Sequence, residues 1–216
     1  MPVFLQLLSV VGRQAPAVQG YRTGKEGIAV FLDHKVPQVK FVDRTFNCKH
    51  DHSIAIWKYI MEHDNGITNF HFEIAADILN EEELKLLEQM RPGLVQLEIG
   101  VQSTNPKTIK EIHRVMDFEK VSKIVRRIQD KGNVHEHLDL IAGLPYEDVE
   151  SFAHSFDDVY ALKPEQLQLG FLKVLKGSFM QEHQEEYGIV HKAHPPYEVL
   201  YTKWISYEDV TAPERD

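Results

Sequence analysis

Polar and apolar residues alternate along residues 94–103, the most regular stretch of the chain. Successive side chains of a β-strand point to opposite faces, so this alternation predicts a strand. Helical patterns precede and follow the strand, and we expect those helices to cover its apolar face. Leu97, Ile99 and Val101 make up the apolar face, and Gln96, Glu98, Gly100 and Gln102 make up the polar face.

Strand and helix patterns alternate along most of the chain. Apolar stripes at helical spacing separate the strand patterns, and Asn80 with Glu83 predicts a capping box at one helix start. Regular β-α alternation with short connections implies right-handed crossovers and a parallel sheet. The predicted strands cover 36–43, 67–74, 94–103, 134–141 and 165–175.

The polar strand faces distinguish between two parallel α/β architectures. A flat, doubly wound sheet buries both faces of its strands, whereas three successive strands here each keep one polar face. We therefore predict an α/β fold with a partial (βα) barrel, an open arc with helices outside and polar side chains inside. The polar residues are His71 and Glu73, then Gln96, Glu98 and Gln102, then His135, His137 and Asp139.

The chain divides into three predicted regions. Residues 1–30 lack either period and are predicted to be irregular, and residues 31–180 form the barrel core. Residues 181–216 are predicted to be a C-terminal extension whose last residues are disordered.

Composition narrows the function classes. The 216 residues carry a net charge of −9, which argues against a nucleic-acid or anionic-membrane surface. No apolar run reaches the length of a membrane span. The only cysteine, Cys48, cannot form a disulfide framework or hold a cysteine-ligated cluster alone. A protein of the reducing cytoplasm is the expectation.

Polar residues gather where the predicted strands end, which is where parallel α/β folds bind ligands. Asp43, Glu73 and Asp139 lie at or near such ends, and Gln102 closes the central strand. Carboxylates accept hydrogen bonds from an ammonium group or ribose hydroxyls, and arginine binds a carboxylate in bidentate fashion. The set suits a zwitterionic or polyhydroxylated small molecule, and the alternative is a structural hydrogen-bond network.

Two histidine groups raise the question of a metal. Cys48, His50 and His52 lie within five residues, but no second ligand pair follows at a useful spacing, so a polar loop is the preferred interpretation. His135 and His137 share one strand face and could hold a metal, with hydrogen-bonded interior histidines as the favoured alternative. No metal ligand is assigned from the sequence.

Two motifs resemble a known family. Residues 99–103, Ile-Gly-Val-Gln-Ser, are followed 36 residues later by Asp-Leu-Ile-Ala-Gly-Leu-Pro-Tyr-Glu at 139–147. Together they resemble the core of radical S-adenosylmethionine (SAM) enzymes. The resemblance covers residues 30–180 and is nearest to the branch with an upstream cobalamin-binding domain, which includes magnesium-protoporphyrin monomethyl ester cyclase-like proteins. It implies a partial (βα)6 barrel that holds SAM and a [4Fe–4S] cluster.

The resemblance also implies which residues bind the cofactor. Glu73 and Gln102 would contact SAM, and Arg114, twelve residues after Gln102, would bind its carboxylate. Asp139 matches the position near the ribose, and Asp43 the position near the methionine amino group, although the usual glycines are missing there. Glu98, on the polar face of the central strand, completes the candidate set.

One departure from the family is serious. The Cys-x3-Cys-x2-Cys motif, whose three thiolates hold the cluster, is absent. A frame-shifted start is one hypothesis: ATG followed by the C of a proline codon reads TGC one base later. In that frame cysteines can replace Met1, Leu5 and Leu8 at the family's spacing, with the normal frame resuming near Ile28. The gene's nucleotides test this hypothesis.

The sequence therefore predicts the core domain of a radical SAM enzyme. Members of that family make a 5′-deoxyadenosyl radical, but this chain is predicted to be inactive because it lacks the cluster cysteines. A cobalamin-binding domain upstream is the implied partner. Two alternatives stay open, a cluster-less binding or scaffold fragment of a larger enzyme, and an unrelated barrel hydrolase with a metal at His135 and His137.

Overall fold

A computed structural model describes residues 24–211. It contains one five-stranded sheet whose strands follow one another in chain order, together with helices in each connection. The strands are parallel, which is the topology of a partial (βα) barrel and confirms the predicted fold class. The strands are β1 Gln38–Lys40, β2 Asn69–Ile74, β3 Val95–Gln102, β4 His135–Ala142 and β5 Gln166–Phe171.

Five longer helices connect or precede these strands, and a short helix, α4, follows β3. Short 3-10 turns follow β1 and β2 at Phe46–Cys48 and Ala76–Ile78. The helices are α1 Gly24–Asp33, α2 His50–Glu62, α3 Glu81–Leu87, α4 Pro106–Glu111, α5 Phe118–Gln129 and α6 Val149–Tyr160.

The structure differs from the prediction at the N-terminal end of the core. The sequence predicts an irregular segment up to residue 30, yet α1 begins at Gly24 because Ile28, Phe31 and Leu32 form a buried stripe at helical spacing. The frame-shift hypothesis concerns residues that lie mostly outside the described part of the chain.

The region of the predicted C-terminal extension contains regular elements. It begins with two short helices, α7 Phe179–Glu182 and α8 Gln184–Tyr187, which are separate because His183 leaves the helical conformation between them. Beyond them, the antiparallel strands β6 Val190–His191 and β7 Val199–Tyr201 precede α9 Tyr207–Thr211.

The described residues form two compact units. The first unit extends to Gly100 and includes residues 119–137. Aromatic side chains fill its core: the ring of Phe72 stacks on Phe41 at 4.5 Å and contacts Phe46 at 4.4 Å, and Trp57 is fully buried beside them. This core joins β2, which carries Phe72, to the turn after β1 and to α2.

The second unit comprises residues 101–118 and those from Leu138 onward. The buried ring of Tyr187 packs in its apolar core with Leu144, Leu172 and Val199. Gly143 ends β4 with φ +86°, and a Cβ at this position would come within 2.7 Å of Val199 Cγ1. Glycine is required there both by the backbone conformation and by the close contact.

In the part of the chain that the structure describes, no helix has the length and apolar character to cross a membrane.

Candidate functional site

The strand β3 has the two faces that its sequence predicts. Val95, Leu97, Ile99 and Val101 are buried, and the intervening residues are only partly covered. The polar face of this strand therefore faces away from the apolar core. In the first unit it meets polar residues of β1 and β2.

A network of charged side chains connects the three neighbouring strands β1, β2 and β3. The Lys40 ammonium donates to Glu98 Oε2 at 2.7 Å and lies 3.3 Å from Glu73 Oε1. His71 Nε2 lies 2.9 Å from the same Glu98 oxygen. The register explains these contacts, because Lys40 is opposite His71 and Glu73 is opposite Glu98 in the parallel ladder.

The network shifts the protonation equilibria of its members. The contact with His71, and then the hydrogen bond from Lys40, lowers the pKa of Glu98 to about 2. Burial acts to lower the pKa of Lys40, but the hydrogen bond with Glu98 and the charges of Glu98 and Glu73 outweigh it and raise that pKa. Glu98 is therefore ionised and Lys40 charged at neutral pH.

His137 of β4 joins this network in space. One possible ligand atom from each of His71, Glu98 and His137 lies within 4.8 Å of the others. Burial lowers the pKa of His137, which favours the neutral imidazole. The sequence suggests a pair of His135 and His137. His135 does not belong to the group in the structure, because the other two members come from the neighbouring strands β2 and β3.

The loop that follows β1 is fixed by an asparagine that the sequence analysis did not identify. Buried Asn47 donates to the Ala75 carbonyl at 2.9 Å and accepts from the Ala75 N–H at 3.0 Å. It joins the segments that follow β1 and β2. The residues around Asn47, Phe46 and Cys48, form no pattern that predicts this bridging role.

His50 and Ser53, which lie in the first turn of α2, contact a buried glutamate of α3. His50 Nδ1 lies 2.9 Å from Glu83, whose other oxygen accepts from Ser53 at 2.5 Å. Cys48 is exposed. Within residues 24–211, these residues do not form a group of potential metal ligands.

Three of the candidate residues lie in the second unit. Gln102 ends β3 with φ +70°, a left-handed conformation that is rare for glutamine. Its Oε1 is buried and has no hydrogen-bond partner among the described residues. Asp139 lies within β4, and Arg114 follows α4 directly after His113, which also has a positive φ.

The residues just after Gln102 belong to a structural network. Ser103 donates to the buried Glu147 carboxylate at 2.5 Å, and Ser155 of α6 donates to the same oxygen at 3.2 Å. Burial raises the pKa of Glu147, partly offset by the two hydroxyl donors. The motif glutamate Glu147 thus anchors the end of β3 to α6.

The candidate set is consequently divided. The structure brings Glu73 and Glu98 together through Lys40, and Asp43 is half-buried in the same unit. Gln102, Arg114 and Asp139 belong to the other unit. Their part in cofactor binding stays a prediction.

Comparison with protein families matches most of the chain. A model described as the radical SAM superfamily matches residues 22–159, and one described as a protein of unknown function (DUF4080) matches residues 185–214. The expected superfamily is thereby confirmed, and the alternative of an unrelated barrel hydrolase is wrong.

Curated relatives cover part of the chain. The oxygen-independent coproporphyrinogen III oxidase of Salmonella typhimurium is 34% identical over 107 residues, which is 47% of this chain and 23% of that protein. The oxygen-independent coproporphyrinogen-III oxidase-like protein HemZ of Bacillus subtilis is 29% identical over 113 residues, or 52% and 22% of the two chains. The chain thus spans about a quarter of the length of these relatives.

Solved structures support the fold. The radical SAM methyltransferase TsrM from Kitasatospora setae, with cobalamin and a [4Fe–4S] cluster bound, has a TM-score of 0.64 at 15% identity. The similarity covers 80% of this chain and 34% of TsrM. Coproporphyrinogen III oxidase (HemN) from Escherichia coli, a radical SAM enzyme, has a TM-score of 0.51 at 19% identity over 71% of this chain and 39% of that one.

Proposed function

Because the chain belongs to the radical SAM superfamily, we propose that its α/β core is a SAM-binding module. The observation that carries this proposal is Gln102 at the carboxyl end of β3. Its buried Oε1 has no partner among residues 24–211, and its backbone is held in a left-handed conformation. A buried acceptor without a partner is costly, and such costs are typical of ligand sites.

The candidate residues have complementary parts in this proposal. SAM is zwitterionic at its methionine end and carries ribose hydroxyls. Arg114 would bind the carboxylate, and Asp43 would accept from the amino group. Asp139 would accept from the ribose, and Glu73 would accept a further hydrogen bond from the cofactor. Glu98 would support this site indirectly, because its carboxylate holds Lys40.

The iron–sulfur cluster does not fit this chain. Three thiolates are needed to hold it, and the full sequence has one cysteine, Cys48, which is exposed and follows β1. We therefore derive no radical step from this chain, and the proposed activity is cofactor binding. The single cysteine is also consistent with a chain that serves as a binding or scaffold part of a larger enzyme.

The proposed surroundings follow from the same family. A small-molecule substrate and a cobalamin-binding domain in a longer protein are the expected partners, as TsrM binds cobalamin. The net charge of −9 does not favour nucleic acid. The branch with upstream cobalamin and a cytoplasmic location are part of this proposal.

Calorimetric titration of the full chain with SAM tests the proposal. We expect binding that Arg114→Ala weakens about 10- to 100-fold, since a hydrogen-bonded charge contributes roughly 1.5–3 kcal/mol. Arg126→Ala is the matched control, because Arg126 is an exposed arginine of α5, and its affinity should equal that of the parent chain. Equal affinity in Arg114→Ala would remove the carboxylate assignment, and absence of heat in the parent chain would overturn the proposed function.

A further inference from the structure

The polar network of the first unit contains more than a salt bridge. His71 comes from β2, Glu98 from β3 and His137 from β4, so three neighbouring strands each provide one donor. Strands of one sheet lie about 4.8 Å apart, which places side chains of the same face within reach of a shared ion. The His71 and Glu98 atoms are 2.9 Å apart.

The donor set matches the ligand chemistry of zinc. Two imidazoles and one carboxylate are common protein ligands of this ion, at about 2.0–2.2 Å. Donors that share a tetrahedral ion at these distances lie about 3.4 Å apart. The donor atoms of His71, Glu98 and His137 all lie within 4.8 Å of one another, so small side-chain adjustments would let them share one ion.

Burial and charge favour the same ligand. The side chains of His71 and Glu98 are only 11% and 16% exposed. Apart from the two imidazoles, the network contains one ammonium, that of Lys40, and two carboxylates, those of Glu73 and Glu98, which leaves an excess of one negative charge. A divalent cation would be attracted by this residual charge in a poorly solvated place.

Lys40 is the competitor of the ion. Its ammonium occupies Glu98 Oε2 at 2.7 Å, and a metal bound to that carboxylate would repel it. Lys40 has another partner available, because Glu73 Oε1 is 3.3 Å away. The network can therefore release Glu98 to a cation without leaving the half-buried ammonium of Lys40 unpaired.

We propose that His71, Glu98 and His137 form a zinc site that joins β2, β3 and β4 and leaves a fourth position open for water or a ligand. The donor set of the site includes neither SAM nor the cluster cysteines. It lies four residues before Gln102 on β3 and two residues before Asp139 on β4. Its expected effect is to stabilise the strands that carry those residues.

The test is zinc binding by the chelator-treated full chain, without SAM. We expect one Zn²⁺ per chain by calorimetry, a tetrahedral visible spectrum with Co²⁺, and a higher melting temperature with excess Zn²⁺. The near-isosteric variants Glu98→Gln and His137→Gln should each weaken zinc at least about 10-fold. Lys40→Gln should strengthen it severalfold, which a purely structural lysine would not do.

Two matched variants keep the test specific. His135→Gln changes a histidine two residues away on β4, and Cys48→Ser removes the exposed thiol, so both should bind zinc as the parent chain does. Circular dichroism establishes folding, and if Glu98→Gln fails to fold, His137→Gln and Lys40→Gln decide the question. Absence of binding, zinc affinity unaffected by His137→Gln, or loss of binding in Cys48→Ser would overturn the proposal.

Discussion

At the scale of single residues, the two family motifs contain side chains with different tasks. Gln102 has a buried acceptor without a partner in the described region, whereas its neighbour Ser103 is occupied by a hydrogen bond to Glu147. Of two adjacent residues in one motif, Gln102 is thus a candidate for contacting a ligand, and Ser103 has a structural role. The residue type alone does not reveal this difference, because serine and glutamate are also common in active sites.

Glu147 should make stability depend on pH in a specific direction. Burial raises its pKa in the folded chain above the unfolded value, so the folded state binds the proton more tightly. Stability is then favoured below the unfolded pKa and declines as pH rises through the folded pKa.

Replacing Glu147 by glutamine should remove this decline. We expect the free energy of unfolding of Glu147→Gln, relative to that of the parent chain, to increase from about pH 4 to about pH 7. Urea unfolding at both pH values measures the difference, with Glu150→Gln, in the first turn of α6, as the control. A parallel pH dependence in the parent and Glu147→Gln would contradict the assignment.

At the scale of elements, the ends of helices and strands are set by local chemistry that burial then modifies. Helix α3 begins with the predicted capping box: Asn80 accepts from the Glu83 N–H at 3.0 Å, and the Glu83 carboxylate accepts from the Asn80 N–H at 3.0 Å. Helix α1, by contrast, begins inside a stretch without an evident start signal. Its buried stripe of Ile28, Phe31 and Leu32 stabilises it through packing.

Removing the cap of α3 should have a measurable cost. Asn80→Ala leaves the Glu83 N–H without its acceptor, and we expect a loss of about 1 kcal/mol in the free energy of unfolding. Glu82→Ala, in the same helical turn, removes only an exposed hydrogen bond with Lys58 and should change stability by less than about 0.5 kcal/mol. Chemical denaturation compares the two, and equal effects would argue against the capping box as the source.

At the scale of the whole molecule, the superfamily fold and the cysteine content disagree. The match over residues 22–159 and the sheet in sequential order belong to a family that holds an iron–sulfur cluster, yet Cys48 is the single thiol of the 216 residues. Fold and chemistry are separable in this way because strand topology depends on the apolar core, whereas cluster binding depends on a few ligands.

Anaerobic reconstitution with iron and sulfide tests this disagreement. We expect the chain as written to show no thiolate-ligated cluster absorption at about 400 nm. A version in which residues 1–28 are translated in the shifted frame, if that frame encodes three cysteines, is the matched comparison and should become brown. A brown product with one cluster per chain from the unaltered protein would contradict the expectation.

The amino-acid sequence by itself determined the order of the five parallel strands, the two faces of β3 and the capping box at Asn80. These features follow from local periodicity and from hydrogen bonds between residues close in the chain. The family motifs also lie within short segments, so the superfamily could be identified without a structure.

Only the tertiary structure decided which polar residues meet. Lys40, His71, Glu98 and His137 are separated by tens of residues, and the register between parallel strands, set by packing of the apolar faces, brings them together. The sequence paired His137 with His135 because they share a strand face, whereas the sheet pairs it with His71 and Glu98. Strand register is a non-local property, and for that reason the zinc site could be inferred only from the fold.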